Sequence, residues 1–339
     1  MICGADNWVE VELFGHSKEP WLRTFLQLPH GIPSHDTFGR VFRLLHPEQF
    51  RQSFRSWIAA AQIATQGQVV AVDGKTLRRS HDRGAGKAAI QMVSAWATAN
   101  RLVLGQRKVD EGSNEITAIP ELLQVLDIAG CIVTVDAIAC QRDVAETIRR
   151  QQADYVLALK ANQGNLYREV ADLFAYAEST GFRDVGHDLH RTVSKGHGGI
   201  EVGNCCTIAE PDFLKYVHEF AGWPELNTIV KVRTERRMGT ATAHKTRYYI
   251  TSLGSNARQV LHAVRGHWKI ENQVHWMLDI VFREDECRIR KGNGAENFGV
   301  LRHLALSLLH QDNSAKVGAK AKRLKAALDE QYLIKVLTA

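Results

Sequence analysis

Two aspartates close short, continuously apolar runs. Val69-Val70-Ala71-Val72 leads into Asp73, and Ile132-Val133-Thr134-Val135 leads into Asp136. Runs of this length and β-branched content predict strands buried on both faces. Each carboxylate then stands at the rim of a sheet, where open sheets commonly carry their chemistry. A third carboxylate sits in a helical pattern. Val264, Trp268, Glu271, Val274 and Leu278 follow at spacings of 4, 3, 3 and 4, so they share one stripe. On that reading Glu271 faces the interior and needs a cation, hydrogen bonds or a raised pKa; a stripe displaced by one residue would put it in solvent instead. Three converging carboxylates repel one another and invite divalent cations, and hard oxygen donors favour Mg2+ or Mn2+ over zinc. Two such ions, about 3.5–4 Å apart, activate an attacking oxygen and stabilise the departing one in phosphodiester cleavage without a covalent protein nucleophile. Chemistry of this kind cuts and joins DNA strands.

The elements that must hold these groups follow from the same patterning. Residues 90–99 and 101–109 predict a hairpin turning at Ala99-Asn100, and a helix runs from Glu115 through Ile119, Leu122, Leu123 and Leu126. Beyond Asp136 come a helix through Val144 and Ile148 and another buried strand over 155–160. The order predicts an α/β fold, a mixed sheet with flanking helices. Residues 166–255 read as an insertion rich in β structure, with strand-like pieces at 191–193, 228–233 and 246–251, followed by one long helix from Ala257 to Leu278. The first 65 residues are helical in pattern. Ser34 caps a short amphipathic helix, either a packing element or a reader of a DNA groove. Pro47 opens a second helix with Phe50, Phe54, Trp57, Ile58 and Ala61 on one stripe. The expected divisions are a helical, DNA-binding unit at 1–65, a first core segment at 66–165, the insertion at 166–255, a core segment with the third carboxylate at 256–300, and a basic helical tail at 301–339.

Composition narrows the classes. The chain of 339 residues is 45% hydrophobic and 24% charged, which excludes wholesale disorder. It has neither an apolar run of membrane-spanning length nor a signal-peptide opening, so a soluble, intracellular protein is expected. Six cysteines, none in a Cys-x-x-Cys pair, read as reduced thiols. The net formal charge is +6. From Arg288 to the end there are ten basic residues against four acidic ones. Such a tail either tracks phosphates or is a solvated helical face.

Several passages carry a resemblance. Val72-Asp73-Gly74-Lys75-Thr76-Leu77-Arg78, Ser113-Asn114-Glu115-Ile116-Thr117-Ala118-Ile119-Pro120, Val135-Asp136-Ala137 and His267-Trp268-Lys269-Ile270-Glu271-Asn272 with His275-Trp276 are similar to the H-repeat-associated family of bacterial insertion-sequence DDE transposases. The likeness spans nearly the whole chain and includes Pro33-Ser34-His35-Asp36-Thr37-Phe38 and Lys195-Gly196-His197-Gly198. It implies a ribonuclease-H-like core whose catalytic, metal-ligating triad falls on Asp73, Asp136 and Glu271, loaded with two Mg2+ or Mn2+ ions. It further implies nicking and strand transfer at the ends of a mobile element. The partners would be double-stranded DNA (the terminal inverted repeats and the target) and a second copy of the chain within the DNA complex, in the bacterial cytoplasm. Two other readings stay open: a nuclease of the same fold that cuts without joining, and a catalytically silent DNA-binding remnant. The family's N-terminal segment extends beyond the opening Cys3-Gly4-Ala5-Asp6, so a shortened copy is expected.

Some positions depart from related transposases, whose signature would place Tyr at 264, Arg at 267 and Lys at 278. Here stand Val264, His267 and Leu278, which leaves Arg265 or His267 to meet phosphate. The remaining candidates for DNA contact are Lys75, Arg78, Asn272, His275, Lys320, Lys322, Arg323 and Lys325. Lys75 and Arg78 are equally well read as surface charge; Asn272 and His275 either contact DNA or hydrogen-bond around Glu271. For Asp279, Glu284 and Asp285 a solvated helix end is preferred to a second acidic cluster. Trp268 and Trp276 are expected in the core rather than against an extruded base. Without a His-Glu-x-x-His run, His267, Glu271 and His275 do not make a zinc site.

Overall fold

Strand β1 (Val69–Leu77) is nine residues long and carries Asp73 in its middle, not at its end. In this computed structural model, residues 1–61, 67–82, 84, 86–110, 112–196, 199–217 and 222–338 are described. Among them, helices α1 (Trp8–Ser17), α2 (Glu19–Leu22), α3 (His35–Leu44) and α4 (Pro47–Ala61) precede β1. The hairpin β2 (Ile90–Ala97) and β3 (Leu102–Lys108) follows. Next come α5 (Glu115–Gln124), β4 (Ile132–Val135), α6 (Arg142–Arg150), β5 (Asp154–Leu159) and α7 (Gly164–Ser179). Four further strands are β6 (His187–Gly196), β7 (Gly199–Ile208), β8 (Thr228–Met238) and β9 (Ala241–Thr251), with the short α8 (Pro211–Leu214) between β7 and β8. The closing helices are α9 (Ala257–Ile270), α10 (Trp276–Ile280), α11 (Gly294–Gln311), α12 (Ala319–Leu328) and α13 (Glu330–Leu337). None of these helices is long and apolar enough to cross a membrane, and all six cysteines are free.

The chain forms two units. One comprises Ala64–Asp73 and Gly112–Lys269. Its sheet runs β1-β4-β5-β9-β8-β7-β6. The strands β1, β4 and β5 are parallel, and β5 onward is antiparallel. The run Val69–Val72 is buried, as its composition predicts. Helix α9 covers one face, where Val260, Leu261 and Val264 meet Val69, Ile132, Val230 and Tyr249. Contact is close enough that a Cβ at Gly266 would lie 2.9 Å from Val69 Cγ1, so the helix needs glycine there. Helix α7 lies on the other face, tied down by Glu178 to Lys231 at 2.8 Å. Residues 166–255 are β-rich as expected, yet β9 pairs directly with β5, so these strands lengthen the sheet instead of forming a separate layer.

The other unit comprises Met1–Ile63, Gly74–Glu111 and Ile270–Ala339. Here β3 and β2 form the expected antiparallel hairpin, ordered β3-β2-β1 with the second half of β1. Ser34 Oγ caps α3 by accepting from Thr37 N at 3.3 Å. Phe54 of the α4 stripe is buried, whereas the side chains of Trp57, Ile58 and Ala61 lie outside the described residues. The centre is α11, buried over most of its length. Its Asn297 donates to Phe42 O and Leu45 O at the end of α3. The expected division at residue 300 therefore falls inside a core helix, and the tail proper begins only at α12.

Candidate active site

Parallel pairing places the two aspartates side by side. Val72 is the register partner of Val135, so Asp73 and Asp136 are the next residues on neighbouring strands, whose backbones run about 4.8 Å apart. Side chains alternate along a strand, which gives Asp73 the face of Val69 and Ala71 and gives Asp136 the face of Ile132 and Thr134. That is the face covered by α9. Thr134 Oγ1 lies 3.1 Å from His267 Nδ1. Both carboxylates are half-buried. Asp136 Oδ1 accepts from Ile138 N at 2.7 Å, a local turn that fixes the carboxylate. Its Oδ2 is 3.8 Å from Lys160 Nζ, whose side chain is largely exposed. Burial lowers the pKa of His267 and the Asp136 carboxylate opposes that shift in part; the net direction is downward, favouring the neutral imidazole.

Glu271 corrects the sequence reading. The long helix stops being α-helical at Ile270, and Glu271–His275 form a π turn before α10 resumes. A π turn accommodates one extra residue, so the buried stripe continues through Ile270, Val274 and Leu278. Glu271 and Asn272 are exposed. The stripe is displaced by one residue, and solvent, not a buried partner, meets the Glu271 charge.

Lys75 is not available to phosphate. Its Nζ lies 2.7 Å from Asp279 Oδ1, 3.0 Å from Glu284 Oε2 and 3.4 Å from Asp285 Oδ1. Glu284 is fully buried and also faces Arg302 at 3.5 Å. Asp279, Glu284 and Asp285 are thus the acidic half of an internal ion cluster, not a solvated helix end, because a buried lysine needs partners of opposite charge. Arg78 reaches the rim of this cluster, 3.1 Å from Asp285, with 78% of its side chain exposed. Arg265 donates to Thr192 Oγ1 and Ser194 Oγ at 3.1 and 3.0 Å. His275 is half-buried.

The tail separates into two kinds of cation. Lys322 is buried and donates to Leu309 O and Asp312 O, and Arg323 is buried against Met1 O, Val281 O and Asp6. Both neutralise backbone and carboxylate groups inside the unit and have no free face for DNA. Lys320 and Lys325 remain exposed. Trp268 and Trp276 are not core residues. Trp268 is exposed beneath the Arg247 guanidinium, 4.1 Å from its ring centroid, and Trp276 is 54% exposed. Lys160 and Thr134 beside Asp136 escaped the sequence reading. Lys160 ends a strand with no motif around it, and Thr134 interrupts an apolar run only as a β-branched residue would.

Among the described residues, no group of three or more His, Cys, Asp and Glu side chains is arranged to hold a metal ion.

Comparison with known proteins is extensive. The model of the transposase DDE domain family matches residues 64–308, and that of its associated N-terminal family matches residues 1–58. From Escherichia coli K12, "H repeat-associated putative transposase YhhI" is 40% identical over 342 residues, covering 99% of this chain and 89% of the relative. "Putative protein YbfL" of the same strain matches to the same extent. "Putative transposase YncI" of Escherichia coli O157:H7 is 39% identical, covering 99% of this chain and 86% of its own length. The piggyBac transposase in a synaptic complex with hairpin DNA aligns at 13% identity and a TM-score of 0.43, covering 97% of this chain and 73% of that one, too slight a likeness to establish a shared fold. Near-full-length identity of this order, together with the two matching models, establishes that the chain belongs to the transposase DDE domain family, within its H-repeat-associated group.

Proposed function

We propose that this chain is a metal-dependent transposase that nicks DNA and transfers strands at the ends of an insertion sequence, with Asp73, Asp136 and Glu271 as its catalytic carboxylates. The observation that carries the reading is the register of β1 on β4, which sets Asp73 beside Asp136 at the level where their pairing ends. Three parallel strands, two of them with carboxylates at this position, fit a ribonuclease-H-like core. The donor types suit divalent ions, and two of the three, Asp73 and Asp136, stand on adjacent strands. Two half-buried carboxylates on adjacent strands repel each other unless a cation or proton intervenes, and all three candidates offer hard oxygen. Two Mg2+ or Mn2+ ions held by Asp73, Asp136 and Glu271 would supply Lewis-acid stabilisation of the attacking and leaving oxygens.

The chain's own groups prepare that role. Ile138 N orients the Asp136 carboxylate by its hydrogen bond. Thr134 holds His267 beside it. A neutral imidazole adds no positive charge near the carboxylates and so does not weaken a cation there. Lys160, 3.8 Å from Asp136 and largely exposed, is placed to meet a phosphate oxygen of bound duplex.

The test is Asp136→Asn, assayed on a duplex carrying the element's own ends. Cleavage and joining should fall by at least about 100-fold, since losing a metal ligand costs several kcal/mol of transition-state stabilisation. Affinity for the same duplex should stay nearly unchanged. Undiminished cleavage would remove Asp136 from the mechanism, and nicks without joined products in the unsubstituted protein would reduce the activity to that of a nuclease.

A further inference from the structure

A cleft of about 920 Å3 lies wholly within the unit that contains α3 and α11. One wall is α1 and α3; the other is the segment from Arg283 to Gly294, which joins α10 to α11 as a strap. The strap is pinned along its length. Arg290 Nε donates to Arg79 O at 2.9 Å, Asn293 N donates to Arg43 O at 3.1 Å, and Lys87 Nζ reaches Gly292 O at 3.4 Å. Gly292 adopts a φ of +54°, and a Cβ there would lie 2.7 Å from Arg43 O, so only glycine lets the strap approach α3 this closely.

The charges in the cleft are unequal in availability. Glu286 pairs with Arg283, Asp6 with Arg323, and Glu10 accepts from Asp6 N at 2.6 Å; Asp82 accepts from Gly84 N at 3.2 Å, and the exposed Asp36 lies 3.8 Å from His35 Nε2. Beside these carboxylates, of which Asp36 is the most exposed, stand Arg40 and Arg43 on α3 and Arg288 and Lys291 on the strap, all four exposed. Among the described residues, none of the four has a carboxylate within 4 Å. Four exposed cations around one cleft, two of them on a strap pinned by hydrogen bonds, gather counterions that a polyanion can displace.

We infer that this cleft seats the phosphate backbone of duplex DNA, with Arg40, Arg43, Arg288 and Lys291 as phosphate contacts that position the duplex and do not read its sequence. The inference rests on the DNA-processing reading above and assigns it a surface away from the carboxylates. The test uses the full chain with Arg40→Gln, Arg43→Gln, Arg288→Gln and Lys291→Gln combined, titrated with random-sequence duplex at several salt concentrations without divalent metal. Each lost contact should flatten the slope of log affinity against log salt by about 0.9, so the combined variant should lose about two to four units. A chain with Arg40→Lys, Arg43→Lys and Arg288→Lys and with Lys291 unchanged should keep the slope. A slope equal to that of the unsubstituted chain would overturn the inference and leave the DNA reading intact. Failure of the unsubstituted chain to bind duplex would overturn both.

Discussion

Lys75→Met keeps most of the lysine stem and removes its charge from the centre of three carboxylates. Lys75 is 11% exposed and Glu284 not at all, so their pair is screened little by solvent. Breaking a buried ion pair by deleting one partner costs about 3–5 kcal/mol. Asp279 and Asp285 are 30% and 24% exposed and can turn to water, and Glu284 keeps Arg302, so the lower end, about 3 kcal/mol, is expected. At about 2–4 °C per kcal/mol for a unit of this size, the melting midpoint should fall by about 6–12 °C. The pH dependence sharpens the test. Burial pushes the Glu284 pKa up, but Arg302 and Lys75 outweigh it and hold the carboxyl below its usual value. A depressed carboxylate stabilises the fold above its unfolded pKa, and that stability is lost as the pH falls through the folded value. The gap between Lys75→Met and the unsubstituted chain, followed by circular dichroism, should therefore be full at pH 7 and shrink below about pH 4.5. A double-mutant cycle with Glu284→Gln should return a coupling of about 1–3 kcal/mol. A midpoint lowered by less than 2 °C at pH 7, or a gap that does not change with pH, would refute the buried-cluster reasoning.

His310, packed edge-on against Trp96 at 5.5 Å, has its pKa lowered to about 4 by burial and then by Arg101 and Lys322. The fold favours the neutral ring, so stability is full above pH 6.5 and declines as the pH falls towards 4, by up to about 3 kcal/mol. Denaturant titrations of His310→Gln across that range should show the decline reduced. Arg323→Gln, which leaves Asp6 and Val281 O without their buried partner, should cost about 3 kcal/mol by urea unfolding while leaving the salt slope of DNA binding unchanged.

What the sequence made legible was periodicity over short distances. Val69–Val72 and Ile132–Val135 are buried strands in register, and the Ala99-Asn100 hairpin and the Ser34 cap stand where local chemistry puts them. What escaped were pairings distant in the chain. Nothing near Lys75 announces that its partners lie some two hundred residues on, and counting charges cannot tell the buried Lys322 and Arg323 from the exposed Lys320 and Lys325. Glu271 was misplaced because a stripe drawn at 3.6 residues per turn assumes an unbroken helix. The aromatic weight of Trp268 and Trp276 suggested core, whereas flanking guanidinium and solvent accommodate them. The basic cleft went unseen because Arg40 and Arg43 are separated from Arg288 and Lys291 by most of the chain.

The π turn at Glu271–His275 also gives this segment a slack in length that its composition does not reveal. Ile270, Val274 and Leu278 stay aligned at intervals of four because one turn is wider than the rest. Deleting a single residue between 271 and 275 would remove the extra residue and let ordinary winding resume, leaving Val274 and Leu278 three and seven positions after Ile270, on the same face of the helix. A one-residue deletion inside the π turn should therefore keep both core side chains seated, whereas one inside α9 should turn the following residues by about 100°. In a comparison of gene copies, this stretch would shed a single residue where the regular turns on either side would not.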